Sequence, residues 1–318
     1  MISLYITNKD KIYCPATLEG ISWSTERKGV PGKLEFSVVR DEVLDFTEGN
    51  RVELNMDGTP LFQGFVFTKK RSKDGIIKVT AYDQLRYLKN KDYMWYENLT
   101  ASNVIERIAK DYNLQIGDIE NTEFIIEARN EDTQTMFDII QNALDLTLLN
   151  RRKMYVLYDD FGKLTLKNIE SMKLDLLIDE ETGENFDYTS SIDKNTYNRI
   201  KLYRDNKEEG VRELYVTENS AHQNEWGLLQ LTESIEEKCN GKAKADAYLQ
   251  LYDHKTRNLI IQKAFGDIRV RAGTSVIVKL DLGDIKVSNY FIVEKVKHKF
   301  DDNLHTMDLT LRGGDFIA

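Results

Sequence analysis

Arg51-Val52-Glu53-Leu54-Asn55-Met56-Asp57-Gly58-Thr59-Pro60-Leu61-Phe62-Gln63-Gly64-Phe65-Val66-Phe67 is the stretch that decides the fold class. Val52, Leu54 and Met56 alternate with polar residues, the period-two pattern of a half-buried strand. Asp57-Gly58 is a compact turn dipeptide, and Leu61, Phe62, Phe65, Val66 and Phe67 beyond it read as a buried strand. Asp74-Gly75 marks a second turn before Ile77, Val79 and Ala81 alternate again. Consecutive antiparallel strands of this kind point to a small β-barrel or sandwich.

Past this region the period changes. Thr100 is placed to cap a helix carrying Val104, Ile105, Ile108, Ala109 and Tyr112 at helical spacing. Asp132 or Thr133 is expected to cap a second helix with Met136, Phe137, Ile140, Ala143 and Leu144 as its buried stripe. Met154, Val156 and Tyr158 then alternate up to the turn Asp159-Asp160-Phe161-Gly162, and Leu164, Leu166 and Ile169 continue after it. From Tyr197 strands return at Ile200 and Leu202, and at Leu214 and Val216. A helix capped at Thr232 is expected to carry Ile235, Cys239, Ala243 and Ala247. Strands at Val276, Val278 and Leu280, at Phe291 and Val293, and at Met307, Leu309 and Leu311 close the pattern.

The two β-rich ends share a faint repeat. Gly49-Asn50-Arg51-Val52-Glu53-Leu54, with Leu61-Phe62 beyond, parallels Gly273-Thr274-Ser275-Val276-Ile277-Val278, with Tyr290-Phe291 beyond. Each half ends on a strand containing Thr, namely Lys78-Val79-Thr80-Ala81 and Met307-Asp308-Leu309-Thr310-Leu311. The fold class expected is therefore α+β: two antiparallel β-barrel-like domains, 1–90 and 176–318, flank a smaller α+β domain, 91–175, with a helix inserted before the C-terminal strands.

Composition narrows the function. The 318 residues, 41% hydrophobic and 31% charged, suit a globular chain with a sizeable core. Three prolines and no Gly/Ser-rich segment leave nothing that reads as a flexible linker. No run approaches the ~18 apolar residues of a membrane span, and residues 1–10 lack a signal-peptide pattern, so folding in cytoplasm is expected. Cys14 and Cys239 are lone thiols without metal or redox spacing. The formal net charge of −9 argues against coating nucleic acid, and acid concentrates in residues 91–180, which carry 10 basic and 18 acidic side chains. The stretch reads first as a solvated acidic surface and second as a wall that would repel nucleic acid passing near it.

Candidate chemistry is sparse. His298 and His305 lie seven apart across an expected Asp301-Asp302-Asn303 turn, but two ligands fall short of a zinc site, so they read as strand-packing histidines. His222 and His254 read as surface residues. Asp159-Asp160 and Glu180-Glu181 are adjacent carboxylates, whereas glycoside hydrolysis needs a pair facing the bond from opposite sides. Gly29-Val30-Pro31-Gly32-Lys33 is too short for a phosphate loop, and Leu34 replaces the hydroxyl that would bind magnesium. No catalytic, cofactor-binding or metal-binding residue is therefore expected. The tyrosines clustered from Tyr82 to Tyr96, with Trp95, could alternatively serve as a sugar-stacking platform.

Across nearly its whole length the chain resembles the baseplate hub proteins of contractile-tailed phages and tail-like particles, a group related to phage late control protein D. The resemblance is carried by Leu61-Phe62-Gln63-Gly64-Phe65-Val66, by Thr80-Ala81-Tyr82-Asp83-Gln84-Leu85-Arg86-Tyr87-Leu88, and by Val296-Lys297-His298-Lys299-Phe300 continuing to His305-Thr306-Met307. It implies a non-catalytic structural subunit without cofactor. Three copies would form a ring of pseudo-sixfold symmetry that joins the tail tube to the central spike, in a baseplate assembled in the bacterial host cytoplasm. It further implies contacts with other baseplate and tape-measure proteins, nucleic acid met only in passing through the channel, and no membrane insertion. A cell-surface carbohydrate-binding module is the alternative reading, followed by a peptidoglycan-degrading enzyme.

Overall fold

The computed structural model describes residues 1–206, 210–235, 239–283, 285–301 and 304–313. Strand accounts for 52% and helix for 18%, so the fold is mostly β, in several sheets of which none is closed. The chain divides into two compact units, Met1–Asp187 with Ile260–Gly314, and Tyr188–Leu259. Among the described residues no helix is long and apolar enough to cross a membrane.

The first unit opens with β1 (Ile2–Asn8), β2 (Lys11–Tyr13), β3 (Ile21–Glu26), β4 (Lys33–Val39), β5 (Arg51–Met56), β6 (Thr59–Arg71) and β7 (Ile76–Tyr82). Val52, Leu54, Ile77, Val79 and Ala81 are buried, as their alternation demands. Phe62 and Val66 of β6 join them, but Phe65 and Phe67 are only half-buried. They point to the other face, where Tyr82 and Tyr87 meet their rings. The expected uniformly buried strand is thus apolar on both faces for two different reasons.

Next come β8 (Lys91–Leu99), α1 (Ala101–Asp111), β9 (Ile116–Ile119), β10 (Ile126–Thr135), α2 (Met136–Arg151), β11 (Tyr155–Asp159) and β12 (Leu164–Asn168). Thr100 caps α1 as expected, in a capping box with Asn103. The second helix starts later than the sequence suggested. β10 keeps pairing with β8 up to Thr135, through an irregularity between Glu131 and Gln134. Thr135, not Asp132 or Thr133, therefore caps α2, reciprocated by Asp138. Both helices bury their apolar stripes in one core with Leu85, Leu88, Tyr96, Leu164 and Leu166.

β13 (Lys173–Ile178) and β14 (Asn185–Ser191) follow. The second unit holds β15 (Arg199–Asn206), β16 (Val211–Glu218), α3 (Ser220–Trp226), β17 (Gln230–Ser234) and α4 (Gly241–Tyr252). Two expectations fail here. Thr232 lies in β17, paired parallel to β15, and the helix begins only after Asn240, whose Oδ1 accepts from the Ala243 N–H at 3.1 Å. That start rotates the buried stripe to Gly241 and Ala245, leaving Ala243 and Ala247 exposed.

β18 (Thr256–Phe265), β19 (Ser275–Asp281), β20 (Lys286–Asp301) and β21 (Leu304–Arg312) complete the chain. The expected turn residues Asp302 and Asn303 lie outside the described residues.

Hydrogen bonding makes the repeat concrete. Gly49 N–H donates to Val66 O at 2.8 Å and Gly273 N–H to Val293 O at 2.8 Å. Val66 N–H returns to Asn50 O at 2.9 Å and Val293 N–H to Thr274 O at 2.8 Å. Asn50 and Thr274 each close a turn, on Thr47 O at 3.2 Å and on Arg271 O at 3.1 Å. Both glycines have positive φ, +87° and +95°, which a side chain would strain. One residue past each valine the register breaks, between Val66 and Thr68 and between Val293 and Lys295. Strand order matches as well: β3-β4-β7-β6-β5-β1 in the first half, and β14-β18-β21-β20-β19-β13 in the second. The halves differ at the last position, where β1 runs antiparallel to β5 but β13 parallel to β19. One strand joins them, because β20 pairs with β19 over Lys286–Ile292 and with β3 over Lys295–Phe300.

Candidate functional site: a buried acidic pair between the halves

Around the join, side chains from both halves and from the β11–β12 hairpin converge. Asp83 ends β7 and caps a short helical turn, Gln84–Lys89, accepting from Leu85 N–H at 3.0 Å. Its other oxygen accepts from Gly32 N–H at 2.8 Å. A Cβ on Gly32 would stand 2.3 Å from that oxygen, so the segment that superficially resembled a phosphate loop is a strand-leading turn whose glycine makes room for a carboxylate. Asp159 lies at the end of β11. Its Oδ1 accepts from Gly162 N–H at 2.7 Å, closing the hairpin turn, while its Oδ2 is sealed from solvent on the side of Gln84.

Arg271, two residues before Gly273, is the cation of the site. Its guanidinium lies over the Tyr158 ring at 4.4 Å and the Trp23 ring at 6.0 Å, and its Nη1 stands 3.5 Å from Asp160 Oδ1. Beside it Ala272 N–H donates to Thr25 Oγ1 at 2.9 Å. Arg27 adds a two-pronged pair to Glu294, both contacts at 2.9 Å, with its own side chain 5% exposed.

The expected histidine pair does meet. His298 stacks on Trp23 at 4.9 Å, and burial, with His305 second, lowers its pKa to about 3, so it is neutral. Its Nε2 lies 2.9 Å from Val270 O, which only accepts, so Nε2 carries the proton. Nδ1 then accepts from His305 Nε2 at 2.9 Å. Among the described residues no group of three metal-ligating side chains gathers.

Electrostatics at the acidic pair run against ionisation. Burial first, then the negative charge of Asp159, pushes Asp83 well above the usual carboxylate range, against the opposing N–H groups and Arg271. Burial also raises Asp159 to about 6, opposed by Gly162 N–H, Gln84 and Arg271. Asp83 thus leans toward the protonated form, and Asp159 takes up a proton below about pH 6; protonated, either becomes a donor as well as an acceptor. The cavity they line with Trp23, Leu61, Phe62 and Arg271 measures about 20 Å³, the room of one water molecule. Such an arrangement fastens three segments together around that space.

Other residues singled out in the sequence are scattered. Asp160 is exposed on its turn, and Glu180 and Glu181 lie in the β13–β14 loop, so neither adjacent pair faces a common cleft. His222 is held by Asp253 at 2.7 Å and stacks on Trp226, within the second unit. Tyr93 and Trp95 share the exposed face of β8, whereas Tyr96 is buried. Sequence reasoning missed Arg271 and the partnership of Asp83 with Asp159. The repeat held one clue, since Arg271 occupies the position of Thr47.

Comparison with known proteins agrees with this architecture. A family model described as YQBQ-like matches residues 21–312. The phage-like element PBSX protein XkdQ of Bacillus subtilis (strain 168) is 29% identical over 324 residues, covering 97% of this chain and 96% of that protein. Among solved structures, the prophage MuSo2 43 kDa tail protein from Shewanella oneidensis superposes with a TM-score of 0.70 at 12% identity, over 99% of this chain and 100% of that one. The prophage tail protein gp18 from Listeria monocytogenes EGD-e follows at 0.65 and 12%, over 98% and 95%. The resemblance to phage tail and baseplate proteins drawn from the sequence therefore holds, and the chain belongs to the YqbQ-like family.

Proposed function

We propose that this phage tail protein is the hub subunit of a contractile-tail baseplate, three copies of which form a ring that joins the tail tube to the central spike. The observation that carries the reading is the duplication. Two halves with matching strand order and matching bonds at Gly49 and Gly273 give each chain two similar wall segments. Three such chains present six, which reconciles a threefold spike with a sixfold tube. On this reading the parts 1–90 and 176–318 act as barrel-like wall segments, with 91–175 as the α+β part between them in the chain. Tail tube, spike, other baseplate proteins and tape measure are the partners, and assembly takes place in the host cytoplasm.

The formal net charge of −9 suits a protein that a polyanionic genome passes without adhering. The chain works without catalysis. Gel filtration coupled to light scattering, over a range of concentrations, tests the ring directly, and negative-stain images give its symmetry. A monomeric mass at high concentration, together with a single copy in the assembled particle, removes the reading. The exposed pair Tyr93 and Trp95 favours one second reading, a carbohydrate-binding face, for which glycan-array binding by the purified chain is the test.

A further inference from the structure

The junction between the two halves has a counterpart that the chain leaves open. In the second half, just past Val293, β20 turns its free side to β3: Arg27 N–H donates to Glu294 O at 2.9 Å, and pairing runs from Lys295 opposite Glu26 to Phe300 opposite Ile21. The repeat makes Val66 the equivalent of Val293. Past Val66, β6 continues through Phe67–Arg71 with β7 on one side, and among the described residues no strand pairs with its other side. β3 has its own equivalent in β14, each being the outer neighbour in its half. The far edge of β3 is taken by β20; β14 ends the sheet, with Asn185, Phe186 and Asp187 exposed. One filled junction and two open edges are therefore related by the repeat.

Charge points the same way. Lys69, Lys70, Arg71 and Lys73 follow one another along the open edge of β6 and the turn after it, and Lys78 sits directly opposite Lys70 in the register. Among the described residues none of these five makes an ion pair, and facing like charges on neighbouring strands is unfavourable. The segment leading into β14 is acidic, with Glu180, Glu181 and Asp187 likewise outside any ion pair among the described residues. At the filled junction opposite charges do meet, Lys295 with Glu26 at 2.6 Å and Arg27 with Glu294 at 2.9 Å. Free strand edges of complementary charge are templates for pairing with another chain.

We propose that the open edge of β6 over Phe67–Arg71 takes β14, from Asn185 to Asp187, of a second copy of this chain, antiparallel, in the manner of β20 with β3. The contact is head-to-tail, so one copy offers β6 and the next offers β14, and internal and external junctions alternate round a closed ring. This inference rests on the ring reading above and supplies its interface.

Charge reversal separates the two ideas. In light scattering, K70E/R71E and E181K/D187K should each shift association to concentrations at least about tenfold higher than the wild type, and a chain carrying both sets should recover most of it. Circular dichroism checks that the variants fold. On the unaltered oligomer, carbodiimide coupling followed by mass spectrometry should join Lys69, Lys70 or Lys73 of one copy to Glu180, Glu181 or Asp187 of another. A wild type that associates while both reversals associate equally well, or an oligomer without those cross-links, overturns the edge assignment and leaves the ring standing. A wild type that is monomeric in solution and in the particle overturns both.

Discussion

Asp159 and His298 set opposite pH trends at one site. Asp159, raised to about 6 from an ordinary 3.8, holds its proton more tightly in the folded chain than in the unfolded one. Its contribution to stability is complete below pH ~4 and is lost as pH rises through about 6, and Asp83 extends the loss upward. His298, lowered from 6.5 to about 3, refuses the proton that the unfolded chain accepts, so its contribution is complete above pH ~6.5 and fades as pH falls toward 3. Asp159→Asn keeps an acceptor for Gly162 N–H and removes the buried ionisation. It should gain about 1–3 kcal/mol in urea unfolding at pH 7.5 and almost nothing at pH 4. Equal destabilisation at both pH values would contradict the assignment. None of this was legible in the sequence, where Asp83 was one letter of a family-like segment and Asp159 one half of a turn dipeptide. Burial created by strands far apart in the chain, not spacing, makes the pair.

The elements themselves were legible where local chemistry decides them. Asp57-Gly58 and Asp74-Gly75 turn where expected, because the chain reverses there with Asp57 and both glycines at positive φ. Helix starts were less legible when tertiary pairing competed, as at Thr135, where an irregular ladder postponed the cap, and at Thr232, which a parallel partner drew into a strand. Thr135→Ala should cost about 1 kcal/mol in thermal or urea unfolding, and Thr133→Ala should leave that hydrogen bond intact. Gly64 is a sharper case. A Cβ there would stand 2.3 Å from Tyr82 O and 2.6 Å from the Phe62 ring, so β6 lies against the end of β7 only with glycine at that point. Gly64→Ala should destabilise by roughly 2 kcal/mol or more, since neither the backbone nor a buried ring yields readily. A change below about 0.5 kcal/mol would show that the contact is looser than the distances imply.

At the scale of the whole molecule, the repeat is the feature the sequence displayed faintly and the backbone bonds display in full. The glycines and the Thr-containing strands were visible; the shared bonds to Val66 and Val293 were not, because the intervening hairpins differ in length. Two outcomes follow from the assembled picture. If the proposed β6–β14 contact joins the copies, association should weaken as salt rises from about 0.05 to about 0.5 M, because charged edges within a Debye length would drive it. Pure protein should leave purified peptidoglycan uncleared, since neither Asp159-Asp160 nor Glu180-Glu181 sets two carboxylates across a common cleft.

The strand that unites the halves also dictates when the chain can fold. Phe300 is packed into the core of the first half beside Trp23 and Phe36, and β3 has no filled outer edge until Lys295–Phe300 lies against it. During synthesis the first half therefore leaves the ribosome with the outer edge of β3 unpaired, and nearly the whole remaining chain must emerge before β20 can fill it. Contacts of such long sequence separation are slow to form and leave strand edges open in the meantime. A truncated product never closes this seam. Only a chain extended through β20 therefore yields a finished first half.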